Sequence, residues 1–129
     1  MTSKKAIISS AAPAPIGPYS QAIESNGTIY ISGQIAIDQA TGSLLTGSIE
    51  EETHQVMKNL KAILEEADLS IDSIVKCSIF IKDMDQFAAI NTVYAGYFEE
   101  TPPARETVEV VRLPKDVNVE ISAIASRQI

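Results

Sequence analysis

"SIEEETHQVMKNLKAILEEADL", residues 48–69, runs almost directly into "DSIVKCSIFIK", residues 72–82, and between them the spacing of apolar residues changes. In the first stretch Ile49, Val56, Met57, Leu60, Ile63, Leu64 and Ala67 recur at helical spacing, which predicts a helix from about residue 49 to about 68 with one broad apolar stripe. Ser48 and Glu51 form a capping box at its start, and Glu50, Glu51 and Glu52 suit the positive end of the helix dipole. In the second stretch Val75, Cys77, Ile79 and Ile81 point one way, while Lys76, Ser78 and Lys82 point the other with Phe80 among them. That alternation is a strand.

Upstream, residues 4–8 can make a short first strand. In "APAPIGPYSQA", residues 12–22, three prolines and a glycine deny both helix and inner strand, leaving a shaped loop. "AIESNGTIYISGQIAI", residues 22–37, places Asn26 and Gly27 between two apolar runs, the pair that tolerates positive φ at both corners of a type I′ hairpin. Downstream, a second helix is expected from about residue 84 to about 98, with Asp83 and Gln86 as a capping box and Pro102 and Pro103 forbidding continuation. Strands at roughly 105–112 and 117–125 complete the order β-β-β-α-β-α-β-β. Each helix has one apolar stripe, so both must share one face of a mixed sheet in an α+β domain. The other face has no cover within the chain, which predicts a homo-oligomer of closed symmetry.

With 129 residues, 45% apolar and 21% charged, the chain fits one globular domain, residues 1–129, able to build a core without disulfides or structural metal. A formal charge of −7 argues against a protein that grips phosphate backbones, so nucleic acid is not an expected partner. Cys77 is the sole cysteine, and no apolar stretch is long enough to cross a bilayer or serve as a signal peptide. A cytoplasmic protein without membrane partners is the expectation.

Few residues offer chemistry. Arg105 follows two prolines and an alanine and opens a strand; a sheltered guanidinium needs an anion, either a structural acid or a ligand carboxylate held by two parallel bonds, unless it simply lies in solvent. Glu120, between Val119 and Ile121, faces away from both, either into solvent or toward a water beside a ligand. Asn91 steps with Phe87, Tyr94 and Phe98 along the second helix, putting an amide in an apolar stripe where backbone groups or a ligand must satisfy it. His54 has no second histidine or cysteine at metal-ligand spacing, so no metal is expected. Ser20 and Ser32 lack a histidine base, and Cys77 lies on the apolar side of its strand.

The segments "APIGPYSQAI", "IYISGQIAID", "VKCSIFIKDMDQFAAIN", "PPAR" and "VRLPKDVNVEISAIA", in this order and over almost the whole chain, closely resemble the RidA family, also called YjgF/YER057c/UK114. The resemblance implies a chorismate-mutase-like fold, a homotrimer, and ligand pockets in the clefts between subunits. It also implies hydrolysis of reactive 2-imino acids and their enamine tautomers, released by pyridoxal-phosphate enzymes, to 2-keto acids and ammonia without a cofactor. By its local motifs Arg105 matches the substrate-carboxylate arginine, and Glu120 the residue that handles the attacking water. Tyr19, Ser32, the Gly33 backbone and Asn91 match pocket positions. Thr107 stands where the deaminase branch commonly has cysteine; it keeps a hydroxyl and the main-chain carbonyl. The alternative is a non-catalytic module that senses 2-keto acids through the same pocket.

Overall fold

The computed structural model describes residues 4–127. Its strands are β1 (Lys5–Ile7), β2 (Ala22–Ser25), β3 (Thr28–Gln34), β4 (Ile74–Ile81), β5 (Ala104–Glu109) and β6 (Val119–Ser126), and its helices are α1 (Ile49–Glu66) and α2 (Phe87–Ala95). They form one sheet in the order β1-β2-β3-β6-β4-β5. All neighbours are antiparallel except β4 and β5, which are parallel and joined through α2.

Local chemistry accounts for most of these elements. Asn26 and Gly27 take φ of 53° and 80°, and Ser25 pairs with Thr28, closing the β2–β3 hairpin with left-handed backbone at both corners. The Ser48 hydroxyl accepts the Glu51 N–H at 3.0 Å and starts α1. Val56, Met57, Leu60, Ile63 and Leu64 of α1 are fully buried against Ile29, Ile79, Val119 and Ile121 of the sheet. Burial of each such side chain stabilises the fold by roughly 1.5–3 kcal/mol. Both helices join this one core, and the opposite sheet face carries Tyr30, Val75 and Val108 exposed.

Three details differ from the sequence expectation. Val75 does not share the face of Cys77, Ile79 and Ile81: Ile74 pairs with Ala125 and Lys76 with Ile124, so Val75 is bulged out of register and 50% exposed. The second helix is shorter than expected, because its first residues form a 3-10 turn at Met84–Gln86. There the Asp83 carboxylate accepts the N–H of Asp85, and the Gln86 N–H donates to the Asp83 main-chain carbonyl instead of the side chain. Its last turn tightens as Gly96, Tyr97 and Phe98 donate to the carbonyls three residues back. Strand β5 ends at Glu109, and the chain leaves the sheet through fully exposed Val111 toward a 3-10 turn at Pro114–Asp116.

Glu52, read in the sequence as a partner of the helix dipole, is turned inward and completely buried. Its carboxylate accepts the N–H of Asn118 at 2.7 Å, the N–H of Val119 at 3.2 Å and the Asn118 side-chain amide at 2.8 Å. Those bonds fix the entry of β6, two residues before Glu120. Glu52→Ala leaves these donors unpaired in the interior, and we expect a loss of about 2–4 kcal/mol in urea unfolding, with a smaller loss for Glu52→Gln.

Candidate functional site

Arg105 lies on the helix side of the sheet, in register with buried Cys77. Its guanidinium stands 5.5 Å from the Phe87 ring centre and 5.1 Å from that of Tyr94, and Nη1 donates to the Asn91 amide oxygen at 2.6 Å. Phe87, Asn91 and Tyr94 are four and three residues apart, so one face of α2 supplies all three contacts. No acid pairs with Arg105 among the described residues, and it is half-buried. Attractive aromatic faces and one neutral acceptor hold the fork in place while leaving other donors for an anion. A cleft of about 410 Å³ opens beside it, lined also by Asn91, Tyr94, Phe98, Glu100 and the two prolines.

Glu120 lies on the opposite side of the sheet. Val119 and Ile121 are fully buried toward the helices, and Glu120 faces the uncovered side with Phe80 as its cross-strand partner. It lines a second cleft of about 380 Å³ with Ile16, Tyr19, Ser32, Gly33, Ile35 and Pro114. A bulge in β3 between Ile31 and Gln34 places Ser32 and Gly33 here. The Ser32 hydroxyl donates to the Ser20 carbonyl at 2.6 Å, and the Gln21 side chain binds Ser9 and Pro13, so the proline loop is pinned where Tyr19 can wall the cleft. Gly33 leaves the Glu120 side chain its room: a Cβ there would lie 2.8 Å from Glu120 Cδ. Burial pushes the Glu120 carboxyl above the ordinary glutamate range.

The residues singled out from the sequence thus divide into two groups. Arg105 and Asn91 share one cleft; Tyr19, Ser32, Gly33 and Glu120 share the other, and within one chain the sheet separates them. Thr107 lines neither cleft, and its hydroxyl is buried without a hydrogen-bond partner. The Tyr94 hydroxyl is likewise buried, and the Cys77 thiol is its neighbour; burial pushes both groups above their ordinary pKa. A thiol so held is a core group and a poor nucleophile. Phe87 and Tyr94 are the contributors that sequence reading missed as site residues; their helical step with Asn91 was the available signal. Among the described residues no cluster of His, Cys, Asp and Glu is placed to hold a metal ion, and no helix is long and apolar enough to cross a membrane.

A six-stranded mixed sheet with two helices on one face, and a cleft on each side of it holding Arg105 or Glu120, define a small α+β protein. The family model described as Endoribonuclease L-PSP matches residues 9–127. The RutC family protein of Pyrococcus horikoshii is 51% identical over 125 residues, 97% of this chain and 99% of its own. The mouse protein named 2-iminobutanoate/2-iminopropanoate deaminase is 43% identical over 122 residues, 95% of this chain and 90% of its own. The crystal structure of Escherichia coli TdcF with bound serine matches with a TM-score of 0.92 at 41% identity, covering 96% of this chain and 99% of that one. The chain belongs to the RidA/YjgF family and has its chorismate-mutase-like fold.

Gly33→Ala tests the packing at Glu120. The flexible carboxylate end yields more readily than backbone, so we expect the protein to fold with a stability change within about 1 kcal/mol while the carboxylate is displaced into solvent. Carbon-detected NMR titration should then show the Glu120 pKa moving down toward the ordinary glutamate range.

Proposed function

We propose that this protein hydrolyses 2-imino acids and their enamine tautomers to 2-keto acids and ammonia, at sites assembled between the subunits of a homotrimer. The observation that carries the reading is the half-buried Arg105 guanidinium, oriented by Phe87, Asn91 and Tyr94 and paired with no acid of its own chain. Such a fork suits a ligand carboxylate. The exposed apolar residues on the far sheet face support association, and the separation of the two residue groups supports a site shared between copies: Arg105 from one subunit, and Tyr19, Ser32, Gly33 and Glu120 from the next. The mouse relative's name supports the reaction class.

The chemistry needs positioning more than force. With the carboxylate clamped, the neighbouring imine carbon is held facing a water on Glu120. Glu120 takes a proton from that water as its oxygen bonds to the carbon, and the nitrogen takes up a proton to give a carbinolamine. The protonated Glu120 returns its proton to the amine nitrogen, the carbon–nitrogen bond breaks with loss of ammonia, and the hydroxyl proton passes to the Glu120 carboxylate as the keto acid forms. The raised pKa brings the Glu120 carboxyl closer to neutrality and suits it to accept and return a proton. Thr107 contributes through its main chain in this reading, because its hydroxyl is buried away from both clefts. The family model's description suggests ribonuclease activity, but a charge of −7 disfavours a phosphate backbone as ligand.

Arg105→Ala is expected to cut kcat/KM for 2-aminoacrylate, generated in place by a serine dehydratase, by at least about tenfold, since a charge-assisted contact is worth roughly 1.5–3 kcal/mol. Unchanged turnover would remove Arg105 from the mechanism. The acid limb of kcat/KM should fall above the ordinary glutamate range, because activity requires the ionised carboxylate and burial holds its proton to higher pH. Glu120→Gln should lower kcat/KM by about a hundredfold, and the activity that remains should lack that limb. It should also remove a contribution of opposite sense to folding, in which stability declines as pH rises from the ordinary glutamate value through the raised one.

A further inference from the structure

We propose that Glu100 is a charge filter at the Arg105 cleft, favouring ligands whose only anionic group is the carboxylate that Arg105 takes. The proposal rests on the reading of Arg105 as a carboxylate clamp, and adds the side-chain class that the site accepts. Of the residues lining that cleft only two are charged, Arg105 and Glu100; Tyr94, Phe98, Pro102 and Pro103 supply most of the remaining wall. Glu100 is exposed, stands two residues before the stiff proline pair, and forms no ion pair among the described residues. Once a ligand carboxylate occupies Arg105, the cleft contains no second cation, and Glu100 leaves it negative. The cleft on the other face lacks a cation too, its one charged lining residue being Glu120. A second carboxylate on the ligand side chain therefore meets an unpaired anion and gains no partner, whereas a neutral side chain meets rings and prolines. Like charges across a cleft of this size repel appreciably in a partly solvated site, and salt weakens that repulsion.

Calorimetric binding of 2-oxoglutarate and its 5-methyl ester isolates the terminal charge, because the ester keeps the 2-keto acid frame and chain length, cannot close on the ketone as an amide would, and carries no second anion. The wild-type protein should bind the ester more tightly. Glu100→Gln should shift the ratio of the two dissociation constants by about three- to tenfold toward 2-oxoglutarate, and Glu100→Lys further. Raising the salt concentration should shift the wild-type ratio in the same direction and the Glu100→Gln ratio less, a response that a merely structural role for Glu100 would not produce. Binding of both ligands with a ratio indifferent to Glu100 and to salt would overturn the filter while leaving the clamp standing. Binding of neither ligand by the wild type, with Arg105→Ala indistinguishable from it, would overturn the clamp and the filter together.

Discussion

The Arg105 guanidinium is half-buried against two aromatic rings, and the acceptor its own chain gives it is a neutral amide oxygen. Arginine cannot shed its charge to suit such a place, so the arrangement is stable only because ring faces attract cations and part of the fork still reaches water. The rest of the chain around it serves to hold the fork still. Pro102 and Pro103 limit the approach, the parallel pairing of β5 with β4 fixes the strand, and one face of α2 delivers Phe87, Asn91 and Tyr94 to the same point. A cation held in this way keeps donors free that its own chain does not use.

The second constraint is the two-residue period of a strand. It sends Arg105 toward the helices on β5 and Glu120 away from them on β6, so the groups assigned to one reaction occupy opposite faces of one sheet. The cleft on the helix side has the arginine without the glutamate, and the cleft on the other face the glutamate without the arginine. Association of copies through the face bearing Tyr30, Val75 and Val108 would hide apolar surface.

Much of this was legible in the sequence where a local rule has a local cause. Asn26–Gly27 forces a turn by its backbone freedom, Ser48 caps a helix by one hydrogen bond, and alternation around Glu120 states which way its side chain points. The illegible features depend on partners distant along the chain. Nothing near Val75 announces a bulge, because the slip arises from how β4 meets β6. The inward turn of Glu52 becomes visible only once Asn118 and Val119 lie above it. Gly33 looked like a backbone contact for a ligand, and the structure adds a reason internal to the protein: the Glu120 side chain occupies the space a Cβ would need. The family resemblance supplied what periodicity could not, namely which anion and which reaction to consider.

The most direct test of the shared site is to mix two impaired variants. Arg105→Ala and Glu120→Gln subunits, purified separately, are unfolded together and refolded as mixed oligomers. If each site takes its clamp from one copy and its base from the next, random assembly restores about a quarter of the sites to working order. Imine hydrolysis should then rise to roughly that fraction of the wild-type rate. Mixed oligomers no more active than either parent would contradict the account.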